Sequence, residues 1–211
     1  MASSTAIKAA SGLGMAGAIG GGGVALYKSE LFKTQTTLGE LVKNDKWTLL
    51  TASNTSQIDA ILTAYKKESP KPTHTFDGFT GKENDAKEKL LAECQKASNT
   101  TYNDSEQDTL LKKIKKWCVV PKTVSQRLKD LNLTTLDTKA PSDSGSETAE
   151  WIEKGKSHHK DSQKIQGVTT NGTEATDAKL VREECAKKNE INSYDESFEE
   201  SLEISRKWCT A

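Results

Sequence analysis

Four cysteines carry the clearest chemical signal in this 211-residue chain. Cys94 and Cys118 lie 24 positions apart, Cys185 and Cys209 also lie 24 apart, and the second pair follows the first by 91 positions. Thiols so placed could stay free and buried, ligate a metal or close disulfides. CxxC spacing is absent, and the scattered His74, His158 and His159 do not complete a zinc set with the cysteines. Disulfides are therefore expected. Linking Cys94 to Cys118 and Cys185 to Cys209 would staple each half separately, at about 3 kcal/mol per loop in the chain-entropy picture; links between the halves are the alternative. The local pairing has a geometric condition. In a symmetric hairpin turning near residue 101, Cys118 would meet residue 86, so the two helices must instead be short or crossed.

Other chemistry is sparse. HExxH, P-loop, GxSxG and EF-hand patterns do not occur, and no acid–base pair stands out among 30 Asp and Glu residues. No catalytic, cofactor-binding or metal-ligating residue is assigned. His158-His159 lies in a polar, cationic stretch, Lys156 to Lys160, and reads as a solvated helix end or loop. Gly12-Leu13-Gly14-Met15-Ala16-Gly17 satisfies GxGxxG, but no strand precedes it and the dinucleotide reading fails. Trp117 and Trp208 each stand one place before the second cysteine of a pair, where packing in the core explains them better than exposed recognition. Thirty basic against 30 acidic residues give zero formal charge, which removes the electrostatic basis for nucleic-acid binding.

The elements that position these residues come as a repeat. Glu93-Cys94, Asp104, Leu111 and Lys116-Trp117-Cys118 recur as Glu184-Cys185, Asp195, Leu202 and Lys207-Trp208-Cys209. Upstream, Leu38, Val42, Trp47 and Leu50 match Val124, Leu128, Leu133 and Leu136; further on, Ile61-Leu62 matches Trp151-Ile152, and Phe76 to Phe79 matches Ile165 to Val168. The expected fold is mainly α: tandem duplicated helical units over 35–120 and 121–211, one disulfide each, with short extended segments near Trp47 and Leu133. Trp47, Leu133, Trp117 and Trp208 are assigned to the core. In each unit two helices flank the cysteines, the first capped by Asn84 or Asp85, the second by Asp104 or Ser105, with counterparts near 176–188 and 195–209. Ser142 to Ser146 and Gly167 to Gly172 read as loops. Lys112, Lys113, Lys115 and Lys116 make one last helix basic, and Glu196, Glu199, Glu200 and Glu203 make the other acidic, which a solvated face explains in both cases. A substitution in one unit should leave the other folded.

Hydrophobic residues make up only 34% of the chain, below the roughly 45–50% of ordinary globular domains, so one large core is not expected. Residues 1–34 stand apart. From Ala9 to Tyr27 no charged side chain occurs, a length that can span a bilayer, although the glycines make it a weak span. An uncleaved membrane anchor is the reading adopted, with a cleaved signal peptide or a Gly-rich tail as alternatives. Disulfides and an anchor agree on an oxidising location. The expected placement is a single-pass membrane protein with its C-terminal part outside, or else a secreted one. Asn-x-Ser/Thr triplets begin at Asn54, Asn99, Asn103, Asn132 and Asn171, and would matter in a eukaryotic host.

The segment GLGMAGAIGGGGVALYKS, the extended WTLLT and LTTLDT, and the helix ends KKWC and RKWC together resemble the large paralogous families of uncharacterised, predicted surface proteins of haemotropic mycoplasmas. The resemblance covers most of the chain. It implies a membrane-anchored surface protein of a wall-less bacterium, concerned with host contact or antigenic variety, and it brings no catalytic residues. The leading expectation is thus a non-enzymatic surface protein that meets a host-cell protein or antibody. A surface hydrolase with acidic catalytic residues and a self-associating structural component are the alternatives.

Overall fold

Thr37 and Thr123 each open a short helix with a reciprocal cap. The Thr37 hydroxyl accepts from the Glu40 amide while the Glu40 carboxylate accepts from the Thr37 amide, and Thr123 does the same with Gln126. These caps start α1 (Leu38–Asn44) and α5 (Val124–Asp130). Both helices end alike. Lys46 and Asn132 turn into the left-handed region at φ 63° and 61°, and the following amides, Trp47 and Leu133, donate back to the Val42 and Leu128 carbonyls. The chain then leaves in extended form.

The computed structural model describes residues 36–103, 107–142 and 145–211. The segment read as an anchor and the helix caps assigned to Asp104 or Ser105 lie outside the described residues, as does part of the Ser142 to Ser146 loop. The fold is mainly helical, with α2 (Thr55–Tyr65), α3 (Ala86–Ser98), α4 (Asp108–Trp117), α6 (Ala149–Lys160), α7 (Glu174–Asn189) and α8 (Phe198–Trp208) completing the set. Among the described residues β structure is confined to isolated bridges. Leu49 pairs with Val119 and Thr135 with Thr210; Thr37 pairs with Thr101 and Thr123 with Asn192. The extended residues after α1 and α5 thus bind the strand-like ends beyond the second cysteine of each pair, the Leu50 amide donating to the Cys118 carbonyl and the Leu136 amide to that of Cys209. No helix among the described residues is long and apolar enough to cross a membrane.

Both disulfides form within their halves: Cys94–Cys118 with Cα atoms 5.2 Å apart, and Cys185–Cys209 with Cα atoms 5.5 Å apart. Cys94 sits near the C-terminal end of α3 and Cys118 just past the C-terminal end of α4, so the bond joins the two helices at their C-terminal ends, which a symmetric hairpin would not do.

Two buried clusters fill the interior. The smaller joins Trp151, Ile165, Ala178, Val181, Trp208 and the second disulfide. The larger joins Leu38, Val42, Trp47, Ile61, Tyr65, Leu90, Ile114, Trp117 and the first disulfide, and it continues past residue 120 into Val124, Leu128, Phe198 and Leu202. The Phe198 ring lies 6.4 Å from that of Trp47. The expectation of separately folding units therefore changes, because α5 and α8 bury side chains in the first half's core. Leu133 is corrected as well. It is only part-buried, and it packs against the larger cluster instead of anchoring the second half.

Candidate functional site

Trp117 is fully buried, and its Nε1–H points at the carbonyls of Thr73 and His74, at 3.2 and 3.0 Å. Its ring meets Tyr65 edge-on at 4.7 Å, and the Tyr65 hydroxyl accepts from the Phe76 amide at 2.5 Å. Trp208 has the same company in the other half. Its ring meets His158 edge-on at 4.9 Å, and His158 Nε2 accepts from the Ile165 amide at 2.9 Å. Phe76 and Ile165 each open a turn with a left-handed glycine two residues on, Gly78 at φ 75° and Gly167 at φ 82°. His158 thus stands where Tyr65 stands, and the solvated reading of His158 is overturned: its side chain is 0% exposed.

The sequence hid this equivalence because the aromatic moves along its helix. Tyr65 lies four residues after Ile61, whereas His158 lies seven after Trp151, and both spacings return to the same helical face. Gly155 occupies the intervening position for a steric reason: a Cβ there would come within 2.5 Å of the Ala178 amide nitrogen. α7 packs too close for any side chain, so the ring sits one turn further on.

The Ile165 amide makes His158 Nε2 an acceptor, which puts the ring proton on Nδ1 facing the Thr170 hydroxyl at 3.4 Å. Burial, with Lys164 assisting, pushes this imidazole below its ordinary value, while Asp161 and Asp177 oppose. The unfolded chain then takes up the proton at higher pH than the folded one, so stability is complete above about 6.5 and declines as pH falls toward the lowered folded value. The melting temperature is expected to fall between pH 7.5 and 5 more steeply in the native chain than in a His158→Asn variant. His74, lowered by burial and by Lys116, acts in the same direction in both proteins and cancels in the comparison. Equal slopes would remove the assignment.

The solvated-face reading holds for the exposed Lys112, Glu199 and Glu200, but Lys115 and Lys116 turn inward, and Lys116 meets its partner across the halves. Lys116 on α4 pairs with Glu196 at 2.5 Å, and Glu196 also accepts from the Thr73 amide and hydroxyl. Burial raises the Glu196 carboxyl, but these partners outweigh it and hold it below its usual range. Asp45, beyond α1, receives Arg127 of α5 at 2.6 Å and Lys115 of α4 at 2.7 Å, while the Arg127 guanidinium lies 4.9 Å over the Trp47 ring. Arg182 and Glu147, both almost fully buried, form a forked pair inside the second half. Asp177 accepts from the Asn171 and Gly172 amides. The buried carboxylates are thus engaged in building the fold. No group of three or more His, Cys, Asp or Glu side chains among the described residues is placed to hold a metal ion, and all four cysteines are oxidised.

A concave surface lies on the first half. A cleft of about 300 Å³ opens beside the first disulfide, walled by Leu49 to Ala52 on one side and by Leu91, Cys94, Gln95, Ser98 and Asn99 of α3 on the other. Leu50, Cys94, Cys118 and Ser98 of its lining are buried, while Thr51, Gln95 and Asn99 are exposed and carry polar groups. Such a surface holds by shape and hydrogen bonds instead of by charge. Of the residues singled out in the sequence, Leu50, Asn99 and the first cysteine pair belong to it; Trp117 and Trp208 are core, as expected, and Trp47 lies at the seam between halves. No protein family, no curated protein and no solved structure matches the chain.

Proposed function

We propose that this chain is a non-enzymatic surface protein, held in the cell membrane by its N-terminal segment, with the disulfide-bonded part outside. Its polar outer faces meet a host-cell protein or antibody. The observation that carries this reading is the pair of closed disulfides, because such bonds persist in oxidising compartments and are rare where glutathione and thioredoxin keep thiols reduced. The resemblance to mycoplasmal surface families points the same way. Residues 35–120 and 121–211 are read as two copies of one unit. The reading is supported by the reciprocal caps at Thr37 and Thr123, the left-handed turns at Lys46 and Asn132, and the paired bridges. The copies differ in surface charge and loop length as well as at core positions, Trp47 against Leu133 and Tyr65 against His158 among them.

Protease shaving of intact cells, followed with an antibody to the C-terminal part, tests the sidedness. Loss of the signal is expected, and full protection would sink the reading. Peptide mapping of the native protein without reductant is expected to recover Cys94 linked to Cys118 and Cys185 linked to Cys209. Four alkylatable thiols would refute the extracellular placement.

A further inference from the structure

We propose that residues 161–172, which link α6 to α7, form an acid-released strap whose catch is His158. The segment is held at few points. The Ile165 amide donates to His158 Nε2 at 2.9 Å, and the Thr170 hydroxyl faces Nδ1 of the same ring at 3.4 Å. At the far end the Asn171 and Gly172 amides donate to Asp177 on α7; at the near end Lys207 of α8 pairs with Asp161 at 2.8 Å and donates to the Gln163 carbonyl. Between these ends only Ile165 and Thr170 are buried, and both face the imidazole. The catch works with the neutral ring alone. Nε2 offers its lone pair to a buried N–H, so a proton placed there sets two donors face to face with no acceptor between them. An imidazolium is accommodated only once the Ile165 amide has moved away, and that movement opens the pocket in which His158 meets the Trp208 ring at 4.9 Å.

The charges facing His158 come from three elements: Asp161 and Lys164 in the strap, Asp177 on α7 and Lys207 on α8. Burial and the two lysines disfavour a proton on the ring, the two aspartates favour it, and burial prevails. With the strap open the ring regains its ordinary value of about 6.5, so the open form takes up the proton first. Below that pH the open population grows until the closed ring titrates as well. The acid-sensitive stability derived above is thereby concentrated in one segment. Its surroundings stay in place, because Gly155 keeps α6 in backbone contact with α7 and Cys185–Cys209 ties α7 to the end of α8. The first half supplies a control within the same molecule. There the Tyr65 hydroxyl holds the Phe76 amide, and a phenol neither gains nor loses a proton in mild acid. His74 also lies in that segment, but it anchors the fold through its carbonyl, which accepts from Trp117, and the residue is otherwise exposed.

The test is hydrogen exchange of the full-length oxidised chain in detergent, followed by mass spectrometry and corrected for the slower chemical exchange at acid pH. Between about pH 7.5 and about pH 5.0, peptides covering residues 161–172 are expected to lose protection by about tenfold or more, while those covering residues 73–81 and α3 hold theirs within about twofold. In a His158→Gln variant, whose side-chain carbonyl can accept from Ile165 without titrating, the loss over 161–172 should vanish. In His159→Gln it should persist, because the Ile165 amide bonds to His158 and not to its neighbour. Unchanged protection over 161–172 in the native chain overturns the proposal, and so does an equal loss in both halves, which is global unfolding. This comparison stands on the native chain even if His158→Gln fails to fold. A loss that survives in a folded His158→Gln, or that vanishes in His159→Gln, places the catch on another group and overturns the proposal as well.

Discussion

Replacing Trp117 by alanine is expected to destabilise the protein by roughly 3–5 kcal/mol, the range for removing a buried large aromatic. The ring is 0% exposed, packs on Tyr65, and satisfies two carbonyls through one N–H. Truncation leaves a cavity and strips the Thr73 and His74 carbonyls of their donor, and both changes act in the same direction. The loss should appear as one cooperative transition by urea unfolding, followed both by fluorescence of the remaining tryptophans and by circular dichroism. A single transition is expected because Phe198 and Leu202 of the second half lie in the core that Trp117 helps to build. Two separated transitions, with the second half unaffected, would show that the shared core does not couple the halves. Wild-type stability in the variant would refute the packing role itself.

Asp45→Ala is expected to cost about 2–3 kcal/mol, the range for losing a charge-assisted hydrogen bond to a buried group that keeps a second partner, here Asp130 3.8 Å from Arg127. The Arg127 side chain is only 8% exposed and gives its second nitrogen to the Asp45 backbone carbonyl, so it cannot swing out to solvent without abandoning Trp47. Lys115 loses the same carboxylate. Burial raises the Asp45 carboxyl, yet the hydrogen bonds and charges of Lys115 and Arg127 prevail and hold it below its ordinary value. Its contribution is therefore complete above about pH 4 and is lost as pH falls through the lowered folded value. Chemical unfolding at pH 7 and at pH 2.5 provides the check: the difference between native chain and variant should shrink at the lower pH. An unchanged difference would mean that Asp45 acts through packing and not through its charge.

The cysteine spacing, the apolar periodicity and the repeated words were enough to read a mainly helical fold, two disulfides and buried Trp117, Trp208 and Trp47. Each of those readings depends on information local to a helix or carried twice in the chain. The caps fare less well: Asp85 stands at the N-cap of α3 but its side chain makes no capping bond, while the reciprocal caps of Thr37 with Glu40 and Thr123 with Gln126, three residues apart, go unread although their spacing is local. That α3 and α4 do not form a symmetric hairpin was accessible too, as the condition that the Cys94–Cys118 bond imposes.

Tertiary structure decided what depends on distant partners. Lys116 meets Glu196 and Asp45 meets Arg127 across long stretches of chain, and a linear reading of charge cannot distinguish a solvated lysine from one pointing into a seam. His158 was misplaced because its neighbours in sequence are polar while its neighbours in space are Trp208, Ile165 and Thr170. Leu133 was assigned by analogy with Trp47, but the smaller side chain reaches only the margin of the larger core. The cleft was illegible for the same reason: its two walls, residues 49–52 and the face of α3 from Leu91 to Asn99, are joined only when the disulfide and the Leu50–Cys118 hydrogen bond bring them together. Sequence determines which residues seek burial, caps or a covalent partner; which charges neutralise each other, and which surface stays uncovered, follow from how the two halves pack.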